Sequence, residues 1–294
     1  MIYLIISIIC VAGLFISFKV MDKYPITLSV SIFISYAVSI LFSLTGITNG
    51  LQPAILTSKW LWFAAFTSGF FIFNFFMIGL CTKRLGIAVT SVANKLSLII
   101  PVTLSMLIDP LDTPDIQKLS AIALSLVAIV LILYPSGKTG FTLKDIWLAV
   151  ALFVGVGTAD ASLKYAQQKL LGPDELSLFV TCVFIFCFIY STIVFIWQKT
   201  PVKEFSNRYN WITGLLLGVT NWAAFITLMM ALDHVRANGT TMRGSVLFGI
   251  NNLGIVSISV LAGFIIFKEK ISALNITGIL TAVATILLLT FFAL

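Results

Sequence analysis

The chain is short of charge. Of its 294 residues, 10% are charged and 60% are hydrophobic, and the mean hydropathy is +1.10. A soluble domain carries about 25% charged residues, so this scarcity excludes an ordinary soluble fold. The net charge is +7, but the basic residues are scattered between apolar blocks and form no patch or stripe. We therefore expect no nucleic acid as a partner.

Histidine and cysteine are also scarce. A single histidine, His234, nearly excludes a histidine-based metal site. The four cysteines lie inside apolar runs, so the sequence predicts no disulfide framework. It also contains no serine–histidine–aspartate set and no complete nucleotide-binding loop. We expect neither an enzyme nor a bound metal or cofactor.

Long apolar runs are what the chain has instead. A transmembrane helix needs about 20 mostly apolar residues, and charged residues divide the chain into ten stretches of that kind. These are Met1–Phe18, Ile26–Leu44, Trp60–Thr82, Leu85–Ile108, Leu119–Gly137, Ile146–Gln168, Leu176–Gln198, Tyr209–Leu232, Gly244–Phe267 and Ile271–Leu294. The pattern predicts an all-α membrane protein with ten transmembrane helices in a lipid bilayer. No loop is long enough to form a soluble domain.

The two halves of the chain resemble each other. At one constant shift Asn94 meets Asn252, and Gly86 meets Gly244, each glycine opening a predicted helix. A second match places Lys19, at the end of helix one, on Lys164 in helix six. A duplicated unit of five helices must cross the membrane in the opposite sense the second time. We therefore predict two inverted repeats, residues 1–137 and 138–294, an organisation typical of secondary transporters.

Two segments carry a resemblance to a known family. The stretch Ala93–Pro101 in helix four and the stretch Phe267–Leu280 at the join of helices nine and ten resemble the EamA-like branch of the drug/metabolite transporter superfamily. The resemblance implies a 5+5 helix layout and transport of amino acids, drugs, sugars or nucleotide-linked metabolites, mostly without ATP. Two departures stand out. The position equivalent to Glu269 in the first half reads Pro110-Leu111 and is not acidic. The first helix also lacks the proton-coupling carboxylate that the small multidrug relatives carry.

Three ionisable residues lie within or near membrane depth, namely Lys95, Asp160 and Lys164. Such residues are costly there and mark functional sites by default. Lys95 is expected either to face a cavity and contact an anionic group of a substrate or to form a structural pair. Asp160 precedes Lys164 by four residues, so the two can pair locally on helix six. Alternatively, Asp160 is the counter-charge of Lys95 or a site for a coupling cation or proton.

Helices four and nine carry polar stripes at helical spacing. The stripes consist of Thr90, Asn94, Ser97, Pro101 and Ser105, and of Ser245, Gly249, Asn252, Ser259 and Gly263. Such stripes pack helices together or line a wet pathway. We predict a cavity that also includes Asn74, Asn221, Trp222 and Asn251. Pro101 removes a backbone hydrogen bond, which predicts a bend suited to gating.

These features together predict a secondary transporter in a bacterial cytoplasmic membrane. It would export a small polar or amphipathic metabolite, with H⁺ or a counter-substrate as the coupling partner. The alternatives are an importer or facilitator of a sugar, and a membrane scaffold whose polar residues only pack helices. The connections after odd helices carry more Lys and Arg than the others, which favours a cytoplasmic location for them and external termini. The family resemblance implies internal termini, and the sequence does not indicate the oligomeric state.

Overall fold

The computed structural model describes residues 2–45, 58–108, 116–132, 134, 145–172, 175–237, 244–269 and 271–288. Within these ranges the regular structure is helical and contains no strand. The α-helices are α1 Ile2–Met21, α2 Leu28–Leu44, α3 Lys59–Leu85, α4 Ile87–Leu96, α5 Ile99–Ile108, α6 Ile116–Ile132, α7 Ile146–Tyr165, α8 Leu176–Trp197, α9 Arg208–Ala237, α10 Gly244–Ile265 and α11 Ala273–Leu288. The prediction of an all-α chain is confirmed.

Six stretches of helix are long and apolar enough to cross a membrane. They are Ile2–Met21, Lys59–Leu85, Ile87–Leu104, Ile146–Leu163, Leu176–Trp197 and Arg208–Leu228. Shorter apolar stretches lie in α2, α6, α10 and α11. Large apolar side chains such as Trp62 and Ile193 stand on the outside of the bundle, 79% and 56% exposed. A surface of this kind suits lipid, so the chain is a helical integral membrane protein.

Helix four of the sequence analysis is interrupted. We predicted one helix over 85–108, whereas α4 ends at Leu96 and α5 begins at Ile99. Pro101 explains the break, because a proline has no N–H to donate and its ring crowds the carbonyl four residues earlier, here that of Ser97. That carbonyl instead accepts a tighter hydrogen bond from the Ile100 N–H, at 2.9 Å. The predicted bend therefore lies one turn before the proline.

Close approach of backbones fixes two of the helix pairs. On α9, Gly214 and Gly218 pack against α2, and a Cβ added at Gly218 would lie 2.5 Å from the carbonyl oxygen of Ser35. On α11, a Cβ added at Gly278 would lie 2.7 Å from the backbone nitrogen of Ile132 in α6. Small residues at helix contacts allow this approach in membranes.

The segment α4 lies at the centre of the bundle. It packs against α10 and α7, and α5 packs against α7 as well. Every residue of Ile87–Leu96 is buried except Lys95. The helix that carries the predicted polar stripe is therefore enclosed by helices from both halves of the chain.

Polar contacts join several helix ends at one end of the bundle. Lys19 at the end of α1 bonds the carbonyl of Thr82 at the end of α3, and Glu269 after α10 bonds the start of α4. Asn210 at the start of α9 bonds the start of α2 at Thr27. We call this end the Glu269 face. The opposite face is marked by the hydrogen bond from Trp60 Nε1, near the start of α3, to the Glu175 carboxylate before α8.

Some predictions fall on residues that the structure does not describe. The predicted repeat boundary after residue 137 lies outside the described residues. So does the Pro110-Leu111 pair at the counterpart of Glu269, and so do the side chains of Ser105, Ser245 and Lys164.

Candidate functional site

Lys95 is the half-buried residue in an otherwise buried segment. Its ammonium lies deep in the bundle, and its side chain nevertheless remains partly accessible to solvent. Its neighbours Asn94 and Leu96 are only 8% and 2% exposed. Within Ile87–Leu96, solvent therefore reaches the side chain of Lys95 more than that of any other residue.

Asp160 on α7 is the charged partner of Lys95. The two groups interact electrostatically, which agrees with the packing of α7 against α4 and α5. Their charged atoms form no ion pair within 4.0 Å among the described residues. The ion pair found among those residues joins Lys19 to Glu269. Lys95 and Asp160 therefore lie close enough to interact but not close enough to form an ion pair.

Asp160 is an exposed carboxylate on a largely apolar helix. Asp160 lies deep within the bundle, yet its side chain is exposed. The apolar residues of α7 that face outward, Trp147, Val150 and Val154, form one stripe that is 61%, 45% and 49% exposed. Asp160 lies about 80° around the helix from Val150 and about 120° from Val154. Its carboxylate therefore stands to one side of this apolar stripe.

The predicted local pair of Asp160 with Lys164 is not described, because the side chain of Lys164 lies outside the described residues. The segment after it is unusual. Residues Ala166–Leu170 form a π-helical turn at the end of α7, and such turns occur frequently at functional sites. The described partner of the Asp160 carboxylate is Lys95.

Two of the predicted asparagines carry buried oxygens without a partner. Asn74 on α3 and Asn251 on α10 are 6% and 4% exposed, and their Oδ1 atoms accept no hydrogen bond within the described residues. Asn74 Oδ1 points to Gly155 on α7, where a side chain would collide with it. Buried polar atoms without a partner are rare in native proteins and call for an unseen water, ion or ligand.

Asn94 and Asn252 lie on neighbouring helices. Each is 8% exposed, on α4 and α10, which pack against each other. Their role in lining a cavity stays a prediction. The hydroxyls of the α4 stripe, however, bond their own helix, Thr90 to the Gly86 carbonyl and Ser97 to the Asn94 carbonyl.

Asn221 and Trp222 point to different surroundings. Asn221 lines a cavity of about 40 Å³ between α3, α7, α8 and α9, together with Phe71, Leu163, Val180, Val183, Phe184 and Phe225. Leu163 lies about one turn after Asp160 on α7, so this cavity borders the same helix as the carboxylate. Trp222 instead packs against the ring of Phe42 on α2, with centroids 5.0 Å apart.

Glu269 forms a cluster that the sequence analysis did not predict. Its Oε1 lies 3.3 Å from Lys19 Nζ and accepts a hydrogen bond from the Ile87 N–H at 2.8 Å. Its Oε2 accepts one from the Ala88 N–H at 3.3 Å. These N–H groups open α4 and would otherwise lack a partner. A carboxylate at this helix end also complements the helix dipole.

The surroundings of this cluster are rich in charge. Asp22 lies just after α1, where burial raises the pKa of its carboxyl, and Lys19 and Lys83 act in the opposite direction. Lys23 Nζ lies 5.6 Å from the centre of the Phe267 ring. The described residues contain no group of three or more His, Cys, Asp or Glu side chains that could hold a metal ion.

Comparison with known proteins supports the fold. No family model matches the chain. An uncharacterized protein of Haemophilus influenzae is 23% identical over 219 residues, which cover 72% of this chain and 69% of that one. A crystal structure of another protein matches 99% of this chain and 97% of its own, with a TM-score of 0.59 and 16% identity. This structure therefore shares the helical fold along nearly the whole chain. The apolar helices described above define the class, a helical integral membrane protein.

Proposed function

We propose that the protein is a secondary transporter of the EamA-like type, which moves a small polar or amphipathic metabolite across a bacterial cytoplasmic membrane without ATP. One observation carries the proposal. Lys95 and Asp160 have opposite charges, lie deep in a membrane protein, and both remain accessible to solvent. Ionisable groups at membrane depth typically face a pathway or pair with each other. Since no ion pair within 4.0 Å joins these two among the described residues, we infer that they face a common cleft.

The substrate site lies in this cleft. Lys95 contacts an anionic group, Asp160 contacts a cationic group or a coupling proton, and a molecule that carries both charges satisfies both residues. Asn74 and Asn251 offer oxygens that have no partner among the described residues, so they are available to a substrate or to water. The aromatic and aliphatic cavity at Asn221 accommodates a small apolar part of the same molecule.

The packing supports two inverted repeats of five helices. When α4 and α5 count as one broken span, the described residues contain ten apolar helical spans. In the proposed repeat, α1, α2 and α3 correspond to α7, α8 and α9. α1 packs against α9. Its counterpart α7 packs against α3, which is the counterpart of α9, so the same contact occurs with the two halves exchanged. In the same way α2 packs against α9 and α8 packs against α3. Broken helices at a repeat interface are typical of substrate sites in secondary transporters.

A ligand screen tests the proposal. Purified protein is heated with amino acids, sugars, nucleotides and cationic drugs at two pH values, and a ligand that binds the folded state raises the melting temperature. We expect a stabilising ligand whose effect is lost in Lys95→Met. The matched control is Lys59→Met at the exposed start of α3, which should keep the effect. Full transport activity in Lys95→Met would contradict the assignment of the site.

Cysteine labelling tests the cleft without a known ligand. Asp160→Cys should react with a charged, hydrophilic thiol reagent, because its position is open to water. Val154→Cys on the same helix is also exposed, but it lies in the apolar stripe with Trp147 and Val150. We expect that stripe to face lipid, so this variant should stay unreactive. The unsubstituted chain gives the background of the native cysteines. Equal protection at both positions would favour a scaffold whose polar residues only pack helices.

A further inference from the structure

The cluster around Glu269 links helices from both halves of the protein. Glu269 follows α10, whereas its partners belong to the first half: Lys19 at the end of α1, and Ile87 and Ala88 at the start of α4. Lys19 also donates a hydrogen bond to the carbonyl of Thr82, near the end of α3, at 2.9 Å. One carboxylate and one ammonium thus hold four helix ends together at the Glu269 face.

Two glycines make room for the carboxylate. A Cβ added at Gly86 would lie 2.7 Å from both Glu269 oxygens, and one added at Gly263 would lie 2.9 Å from Oε2. Gly86 also has a φ of 89°, a conformation that side chains disfavour. The absence of a side chain at Gly86 and at Gly263 therefore leaves space for the Glu269 carboxylate. Both side chains of the ion pair are mostly buried, with 19% and 13% exposed for Lys19 and Glu269.

The repeat comparison leaves the opposite face open. The predicted counterpart of Glu269 is Leu111, which is flanked by Asp109 and Asp112, and all three lie outside the described residues. A carrier built from inverted repeats opens its two faces in turn, so a contact that holds one face closed bears on its cycle.

We propose that the Lys19–Glu269 pair is a lock that holds the Glu269 face closed, and that this face opens only when Glu269 leaves the start of α4. The inference rests on the proposed transport function for its role in a cycle. Movement of α10 away from α4 removes the acceptor of two backbone N–H groups and separates an ion pair shielded from solvent.

A buried reporter on α4 measures opening of the Glu269 face. Ser91 lies one turn inside from Ile87, is 0% exposed, and bonds only the carbonyl of Ala88 in its own helix. Full-length Ser91→Cys protein in nanodiscs, where both faces meet water, is treated with a charged methanethiosulfonate. We expect slow modification with the lock intact, and a rate about tenfold higher or more after Glu269→Gln, which corresponds to at least ~1.4 kcal/mol.

Two further variants separate the lock from general loosening. Lys19→Met leaves Glu269 hydrogen-bonded to the start of α4 but removes the ion pair, so it should also raise the modification rate of Ser91→Cys. If Glu269→Gln does not fold, Lys19→Met alone tests the lock. Glu204→Gln is the matched control, because Glu204 accepts a hydrogen bond from Thr27 at the same face, away from α4 and α10. An unchanged rate in both lock variants, or an equal increase in Glu204→Gln, would overturn the proposal.

A second reporter distinguishes failure of the lock from failure of the transport function. Asp160 lies toward the opposite face, since Tyr165 after it contacts Phe63 in the first part of α3. In an alternating carrier, opening of the Glu269 face should slow the labelling of Asp160→Cys as it speeds the labelling of Ser91→Cys. A rise at Ser91→Cys alone would support the lock and contradict alternating access.

Discussion

The relation between Lys95 and Asp160 can be measured by a double-mutant cycle. The variants are Lys95→Met, Asp160→Asn and the combination of both, and the quantity is the free energy of unfolding in detergent. A pair that serves only to hold helices together should show strong coupling, because removal of one partner leaves the other as an uncompensated buried charge. A pair that lines a wet cleft should not, since water solvates whichever charge remains.

The two interpretations differ in magnitude. Breaking a buried ion pair by removing one partner typically costs ~3–5 kcal/mol, whereas exposed pairs are worth ~0.2–1 kcal/mol. In the structure both side chains remain accessible, and no ion pair within 4.0 Å joins them among the described residues. We therefore expect each single variant to change stability by less than about 1 kcal/mol, with a coupling energy of similar size. Ligand stabilisation should nevertheless be lost in Lys95→Met.

The assay is reversible unfolding in mixed micelles with increasing denaturing detergent, followed by tryptophan fluorescence. Monodisperse size-exclusion profiles establish that each variant is folded before titration. Losses of ~3 kcal/mol or more in both single variants, recovered in the double variant, would refute the wet-cleft interpretation. They would assign Lys95 and Asp160 to helix packing.

Two further predictions concern stability. Gly218→Ala should destabilise by ~1–3 kcal/mol, because the new Cβ meets the Ser35 carbonyl and must separate α9 from α2; Gly69→Ala, with nothing within 4 Å of its Cβ, should not, and thermal unfolding compares the two. Asn275→Ala should lower the unfolding free energy by ~2–3 kcal/mol, since its buried amide bonds three carbonyls at the end of α6. Thr281→Ala, whose hydroxyl bonds only its own helix, should change it by less than about 0.5 kcal/mol, and equal losses in both would contradict the role of Asn275.

The membrane-spanning character was predictable because the composition is rich in hydrophobic residues and poor in charged ones. Charged residues are so costly in a bilayer that their spacing marks helix ends, and the order of the helices follows from it. The break in helix four was harder to place. Pro101 was recognised as a bend, but the conflict it creates falls on the carbonyl of Ser97, so the interruption lies a turn earlier.

Partners across the fold were not predictable in the same way. Glu269 was compared only with its repeat counterpart, and its actual partner, Lys19, lies in the first helix, where no periodicity connects them. Trp222 was placed in the cavity with Asn221, yet it packs against Phe42. On a helix that is apolar on most sides, sequence gives little contrast between the face that meets lipid and the face that meets a neighbour.

The hydrogen bonds of the hydroxyls on and just after α4 affect the cost of moving this helix relative to its neighbours. Thr90, Ser91 and Ser97 all donate to carbonyls of their own helix, so these bonds travel with α4 when it shifts. If α4 shifts along its axis, these three hydroxyls keep their acceptors. The hydrogen bonds that such a shift would break are those from the Ile87 and Ala88 N–H groups to Glu269 at the start of α4. The energetic cost of moving this helix is therefore expected at its end and not along its hydroxyl-bearing face.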